Sequence, residues 1–166
     1  MIDSRMRRGA FVAAFLAMAL VAACHADAPS TPISCTTAPT VEVTFQGGAL
    51  TAELAVDSAQ RANGLQHRAT LCADHGMLFA YPYTQQPEFE KYWMLDTPLP
   101  LSIAFLDSTK TVINLDDMQP NTTTLHSANA RFLYAIEANL GWFAAHGVVA
   151  GSMASFSLPA GTTPTR

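Results

Sequence analysis

Val41-Glu42-Val43-Thr44-Phe45, then Gln46-Gly47-Gly48, then Leu50-Thr51-Ala52-Glu53-Leu54-Ala55-Val56: apolar and polar residues alternate on both sides of a pair of glycines. A period of two places every second side chain on one face of an extended strand. Two such runs across a short glycine-containing loop form a β-hairpin, with the glycines supplying positive φ at the turn. The same pattern recurs downstream, where the apolar-rich runs 101–107 and 111–117 are joined by Ser108-Thr109-Lys110 as a second hairpin. Residues 76–81, 92–95, 131–138 and 153–158 read as further short strands, the first two separated by a Pro-containing loop. Helical signals are few. Asp57 and Ser58 can cap a short helix through about His67, with Gly64 in its last turn, and Asn139 can cap another through His146, stopped by Gly147. Many short strands with two short helices predict the α+β class. The expectation is a single compact, β-rich domain at 40–158, a curled sheet or small barrel, as suits a chain of 166 residues.

Upstream of that domain, Arg5, Arg7 and Arg8 precede an uncharged run from Gly9 to Ala23. The run is shorter than the roughly 20 residues that cross a bilayer and has the form of a signal-peptide apolar region. It closes with Leu20-Val21-Ala22-Ala23-Cys24, which resembles a bacterial lipobox: small residues before a thiol able to carry a diacylglyceryl group, with Val21 where leucine is commoner. The expectation is therefore a signal peptide at 1–23 and a lipid anchor on Cys24 that holds the chain in the periplasm, on the membrane of the cell envelope. His25 follows instead of aspartate, which favours the outer membrane over the inner. Ordinary cleavage after Ala26 or Ala28, releasing a soluble chain, is the other reading. Residues 24–39 turn to Ala, Pro, Ser and Thr and read as the lipidated N-terminus and a flexible linker; 159–166 reads as a flexible tail.

The chain holds nine Lys/Arg and thirteen Asp/Glu. Removing 1–23 takes away three arginines and one aspartate, leaving six basic against twelve acidic residues, a formal charge of −6. No basic stripe exists to displace counterions from phosphates, so no nucleic-acid partner is expected. With Cys24 acylated, Cys35 and Cys72 remain, and two cysteines in an oxidising compartment are expected to pair. His67, Cys72 and His75 could instead converge on an ion, but that would take Cys72 from its partner and supplies no fourth ligand. No metal and no cofactor is expected. The sequence contains no Gly-x-Ser-x-Gly elbow, phosphate-cradling glycine loop or His-Glu-x-x-His helix. His126, in a loop rich in Thr, Asn and Ser, reads as exposed, and Trp93 and Trp142 read more readily as core than as ligand platforms.

Four blocks occur in order: Arg61-Ala62-Asn63-Gly64-Leu65-Gln66-His67-Arg68; Gly76-Met77-Leu78-Phe79; Trp93-Met94-Leu95-Asp96-Thr97 with Pro100-Leu101-Ser102-Ile103; and Tyr134-Ala135-Ile136-Glu137-Ala138 with Gly141, Gly147 and Gly151. Together they resemble the DUF 192 family, a domain of unknown function whose blocks run E-R-x-x-G-L-M-x-R, G-M-L-F, W-M-K-N-T with P-L-D-I, and Y-V-L-E followed by spaced glycines and a final Asp. The resemblance spans roughly residues 41–158. It implies a compact, β-rich α+β fold, often secreted, and carries no established activity. This chain has Leu95 and Asp96 where the family usually has Lys and Asn, Ser102 for its usual Asp, and Ser152 for the final one. A binding or structural role survives such changes more easily than catalysis.

Five residues are candidates for a site: Arg61, Arg68, Trp93, Asp96 and Glu137. Arg61 and Arg68 are seven positions apart and so near one face of the first helix. Asp96 and Glu137 are acids embedded in apolar strand sequence, where an ionised group is costly without a partner. They can pair with the arginines as structural bridges, or serve as the polar groups of a pocket walled by Trp93, Met94 and Phe79. The function expected is a non-catalytic extracytoplasmic module that binds a small molecule, a peptide or another envelope protein. The alternative is a carboxylate-based hydrolase or carbohydrate-active enzyme with Asp96 and Glu137 facing one cleft.

Overall fold

A computed structural model describes Cys35 and residues 38–166. The expected signal segment 1–23, the expected lipid-bearing Cys24 and most of the expected linker 24–39 lie outside the described residues. The opening hairpin forms as read: β1 (Thr40–Phe45) and β2 (Gly48–Ala55) pair antiparallel, with Phe45 opposite Gly48. Its glycines serve another purpose than expected, for neither takes left-handed φ. A Cβ on Gly47 would lie 1.9 Å from the His146 backbone oxygen, and one on Gly48 2.3 Å from the His146 ring. The turn is glycine because another segment packs directly onto it.

Helix α1 (Ser58–Asn63) opens with a capping box between Asp57 and Gln60. It ends at Gly64, whose φ of 48° halts the helix short of the expected His67. The crossover that contains α1 returns the chain as β3 (His75–Gln85), parallel to β2. The second hairpin is β4 (Leu101–Leu106) with β5 (Val112–Met118). Strand β6 (Phe132–Asn139) inserts between β3 and β4, antiparallel to both. The sheet order is β1-β2-β3-β6-β4-β5. Helix α2 (Trp142–Ala145) starts after Gly141; Asn139, expected as its cap, ends β6 and donates its side-chain amide to the Cys72 and Ala73 carbonyls.

Two expected strands do not form. Residues 92–95 bury Tyr92 and Met94 and expose Trp93 and Leu95, as a strand would. Their partner is an irregular loop, met only at the Tyr92–His126 bridge and at the Thr122 carbonyl, so no ladder grows. Residues 153–158 span the gap between the two edges of the sheet. Ala154 donates to the Lys110 carbonyl beside β5, while Ser155 exchanges two hydrogen bonds with Thr44 of β1. This strap gives an open, curled sheet with its edges tied at one end, in a single compact domain.

The curl buries both faces of the sheet. Leu50, Leu78, Ile136 and Phe143 belong to one apolar cluster, and Met77, Phe79, Ile103, Phe105 and Phe132 to the other. Cys35 and Cys72 form the expected disulfide, 37 positions apart in sequence. Near the C-terminus, Thr165 donates to the Val56 carbonyl at 2.8 Å and accepts from Arg61 at 2.7 Å.

Candidate functional site

Strand register places three acids in one row. Glu53 of β2 lies opposite Met77 of β3, Met77 opposite Glu137 of β6, Glu137 opposite Ile103 of β4, and Ile103 opposite Asp116 of β5. Directly opposed residues share a face of the sheet. The three carboxyls are therefore separated by one apolar residue each, at strand spacings of about 4.8 Å.

The outer two acids have bases from loops. Glu53, only 2% exposed, takes a bidentate fork from Arg68, Nη1 to Oε1 at 2.6 Å and Nη2 to Oε2. That hydrogen bond pushes the Arg68 guanidinium above its ordinary value. Arg68 is thus a structural partner, and its acid is Glu53 rather than either of the two expected from sequence. Asp116, at the row's other end, binds Nδ1 of His126. His126 is buried, contrary to its expectation as an exposed loop residue, because the polar loop that carries it folds back on Tyr92.

The central acid has no base among the described residues. Glu137 is 5% exposed, and its carboxyl makes no hydrogen bond or ion pair with any of them. Burial alone pushes it up to about 8, so at neutral pH it carries a proton. It lines a cleft of about 250 Å³ between α1, β3 and the segment that follows β3. Phe79, Tyr81, Tyr92 and the half-exposed Trp93 give this cleft aromatic walls. Tyr81 donates its hydroxyl to Glu90 at 3.0 Å and shares a 2.8 Å hydrogen bond with Tyr92. Burial pushes both phenols up.

The two bases that line the cleft are already engaged. Arg61 donates to the Ala80 carbonyl at 3.1 Å and to that of Thr165, with its guanidinium 4.7 Å from the centroid of the Tyr81 ring. Lys91 donates to the Pro87 carbonyl at 2.9 Å.

Of the five sequence candidates, Arg61, Trp93 and Glu137 meet in the cleft and Arg68 and Asp96 do not. Asp96 sits in an exposed turn with φ 53°, where its carbonyl accepts the His67 N–H at 2.7 Å. The Asp96–Glu137 pair required for carboxylate catalysis is not brought to one cleft. Ser102, at the family's usual Asp, donates to Asp117 and accepts from the Gly141 N–H. Sequence reasoning missed Glu53, Glu90 and Asp116. The tight run Ala52-Glu53-Leu54-Ala55 was a signal for the first, since its small and apolar flanks fit a strand buried on both faces.

The family model of DUF192, described as an uncharacterised ACR, matches residues 41–156, and the chain belongs to that family. The fold is similar to a crystal structure from Sinorhizobium meliloti described as a candidate transcription regulator. The two are 31% identical with a TM-score of 0.64, over 70% of this chain and 92% of that one. It is also similar to a protein of unknown function from Novosphingobium aromaticivorans, 30% identical with a TM-score of 0.63, over 78% of this chain and 94% of that one. Among curated proteins none matches the chain.

Proposed function

We propose, with membership of the DUF192 family as the premise, that the domain is a non-catalytic binding module of the cell envelope which takes a small polar ligand in the cleft over Glu137. The observation that carries this reading is the lone central carboxyl. Of three acids in one row, only Glu137 lacks a base among the described residues, and it is the one that opens on a cleft. Keeping such a group buried costs stability, and a carboxyl strongly perturbed by desolvation in a cleft is a candidate for a functional site. The cleft's volume falls just below the usual range for drug-sized molecules, which fits a small ligand better than a folded partner. With Asp96 outside the cleft, the Asp96–Glu137 pair expected for a hydrolase is not assembled there. The acidic balance of the mature chain weighs against a nucleic-acid partner.

The signal segment 1–23 and the lipobox-like Cys24 support export and lipid anchoring, with the outer membrane favoured. Replacing Cys24 by Ala is expected to move the exported chain from the membrane to the soluble fraction. The binding reading is tested by melting the mature chain against amines, carboxylates, sugars, dipeptides and nucleotides, each beside Glu137→Gln. One ligand class is expected to stabilise the wild type, by about 2.7 kcal/mol at a hundredfold excess over its Kd, and to leave the variant unmoved. Equal shifts in both proteins, or none in either, contradict the reading.

A further inference from the structure

We infer that the cleft takes an organic cation, a primary ammonium or guanidinium group that sits on Glu137 as Arg68 sits on Glu53. This deepens the cleft reading and rests on it. The row of acids gives the argument its form. Glu53 has Arg68 and Asp116 has His126, both delivered by loops of the same chain. Glu137, between them, has an opening in place of a loop residue. The protein's own cations line the same cleft without pairing with Glu137; Arg61 donates to two backbone carbonyls and Lys91 to a third.

The remainder of the cleft suits the same charge. Glu90 places a second carboxylate on its wall, held by Tyr81. Phe79, Tyr92 and Trp93 present aromatic rings, whose faces attract ammonium and guanidinium groups within about 6 Å. An anion entering here would meet the Glu90 carboxylate beside Glu137. A neutral amide could accept the Glu137 proton, but it would leave the second carboxylate and the aromatic walls without a complement.

Binding then has a defined proton balance: the protonated Glu137 releases one proton to solvent as the cation forms an ion pair with the carboxylate. The groups that line the cleft around Glu137 come from several elements. From β3 comes Tyr81, and from the segment after β3 come Glu90, Lys91 and Tyr92; α1 brings Arg61, and β4 brings only Ile103. Burial pushes both tyrosines up and away from the neutral range.

The test is calorimetric titration of the mature chain with butylguanidinium, which stays charged at every pH used, beside butyramide and butyrate. Glu137→Gln is the control variant, with its melting checked so that loss of binding is not loss of fold. Butylguanidinium is expected to bind about tenfold more tightly at pH 9 than at pH 7, as the ionised fraction of a carboxyl at about 8 rises from about a tenth to nine-tenths. At pH 7, enthalpies in two buffers are expected to report close to one proton released, and Glu137→Gln is expected to lose at least tenfold in affinity at pH 9. Butyramide binding in preference to butylguanidinium, abolished in Glu137→Gln, overturns the cation and leaves the cleft reading standing. Butylguanidinium binding that ignores both pH and the substitution overturns the cation, and so does tighter binding at lower pH. No binding by any probe overturns both.

Discussion

Replacing Glu137 by Gln should stabilise the domain, and by an amount that grows with pH. The carboxyl has an ordinary value of 4.5 and sits at about 8 in the folded chain. Between those values the folded state holds a proton that the unfolded state has released. Stability therefore falls as pH rises through this window, by up to about 1.4 kcal/mol per pH unit, and levels off above about 8. Integrated from pH 5 to pH 8, the loss is about 3.5 kcal/mol. A glutamine side chain keeps a similar volume and cannot ionise, so the Glu137→Gln profile lacks this slope. The assay is urea unfolding of both proteins at four or five pH values; the difference between the two curves cancels every other titrating group. At about 3 °C per kcal/mol for a domain of this size, the melting points should separate by about 10 °C between pH 5 and pH 8. Parallel profiles over that range would refute the reasoning, because they would mean that Glu137 is solvated or paired in the folded chain.

Three further outcomes follow from the same geometry. Arg68→Ala strands the buried Glu53 and should cost about 3 kcal/mol, whereas the double change Glu53→Met with Arg68→Met should stay within about 1 kcal/mol of wild type, as measured by urea unfolding. Reducing the Cys35–Cys72 bridge, or replacing Cys72 by Ser, should cost about 4 kcal/mol for a loop of this length, read as a lower melting point in reductant. A Cβ on Gly76 would lie 2.2 Å from the Glu137 backbone oxygen, so Gly76→Ala should force β3 from β6, cost about 3 kcal/mol and impair the cleft in the same melting assay.

What was legible in the sequence was local. The two hairpins could be read because alternation and turn residues lie within a few positions of each other. The cysteine pair followed from arithmetic and compartment. The end of α1 was misjudged because Leu65 and Arg68 continue a helical spacing that Gly64 interrupts, and backbone conformation at one glycine outweighed that spacing. Residues 92–95 and 153–158 carry strand-like patterns, yet a ladder needs a partner of matching regularity, which only the tertiary arrangement decides.

The site was legible as residues but not as an arrangement. Arg61, Trp93 and Glu137 were identified from their types and context, and they meet. The acid row was hidden, because it depends on the insertion of β6 between β3 and β4 and on four registers at once. For the same reason Arg68 could not be assigned to Glu53: the pair joins β2 to a loop 15 positions further on, and only the folded sheet brings the two together. His126 was misread because a polar loop composition says where a loop tends to lie, whereas this one is folded under by its bridge to Tyr92.

Everything proposed for the cleft depends on Glu137 being buried there without a base. Following its side-chain carboxyl carbon by NMR across pH 4 to 10, in the mature chain without ligand, tests that directly. The account predicts a midpoint near 8, set by desolvation. A midpoint near 4.5 would mean that water or a cation of the protein already serves this carboxyl, and would contradict the account.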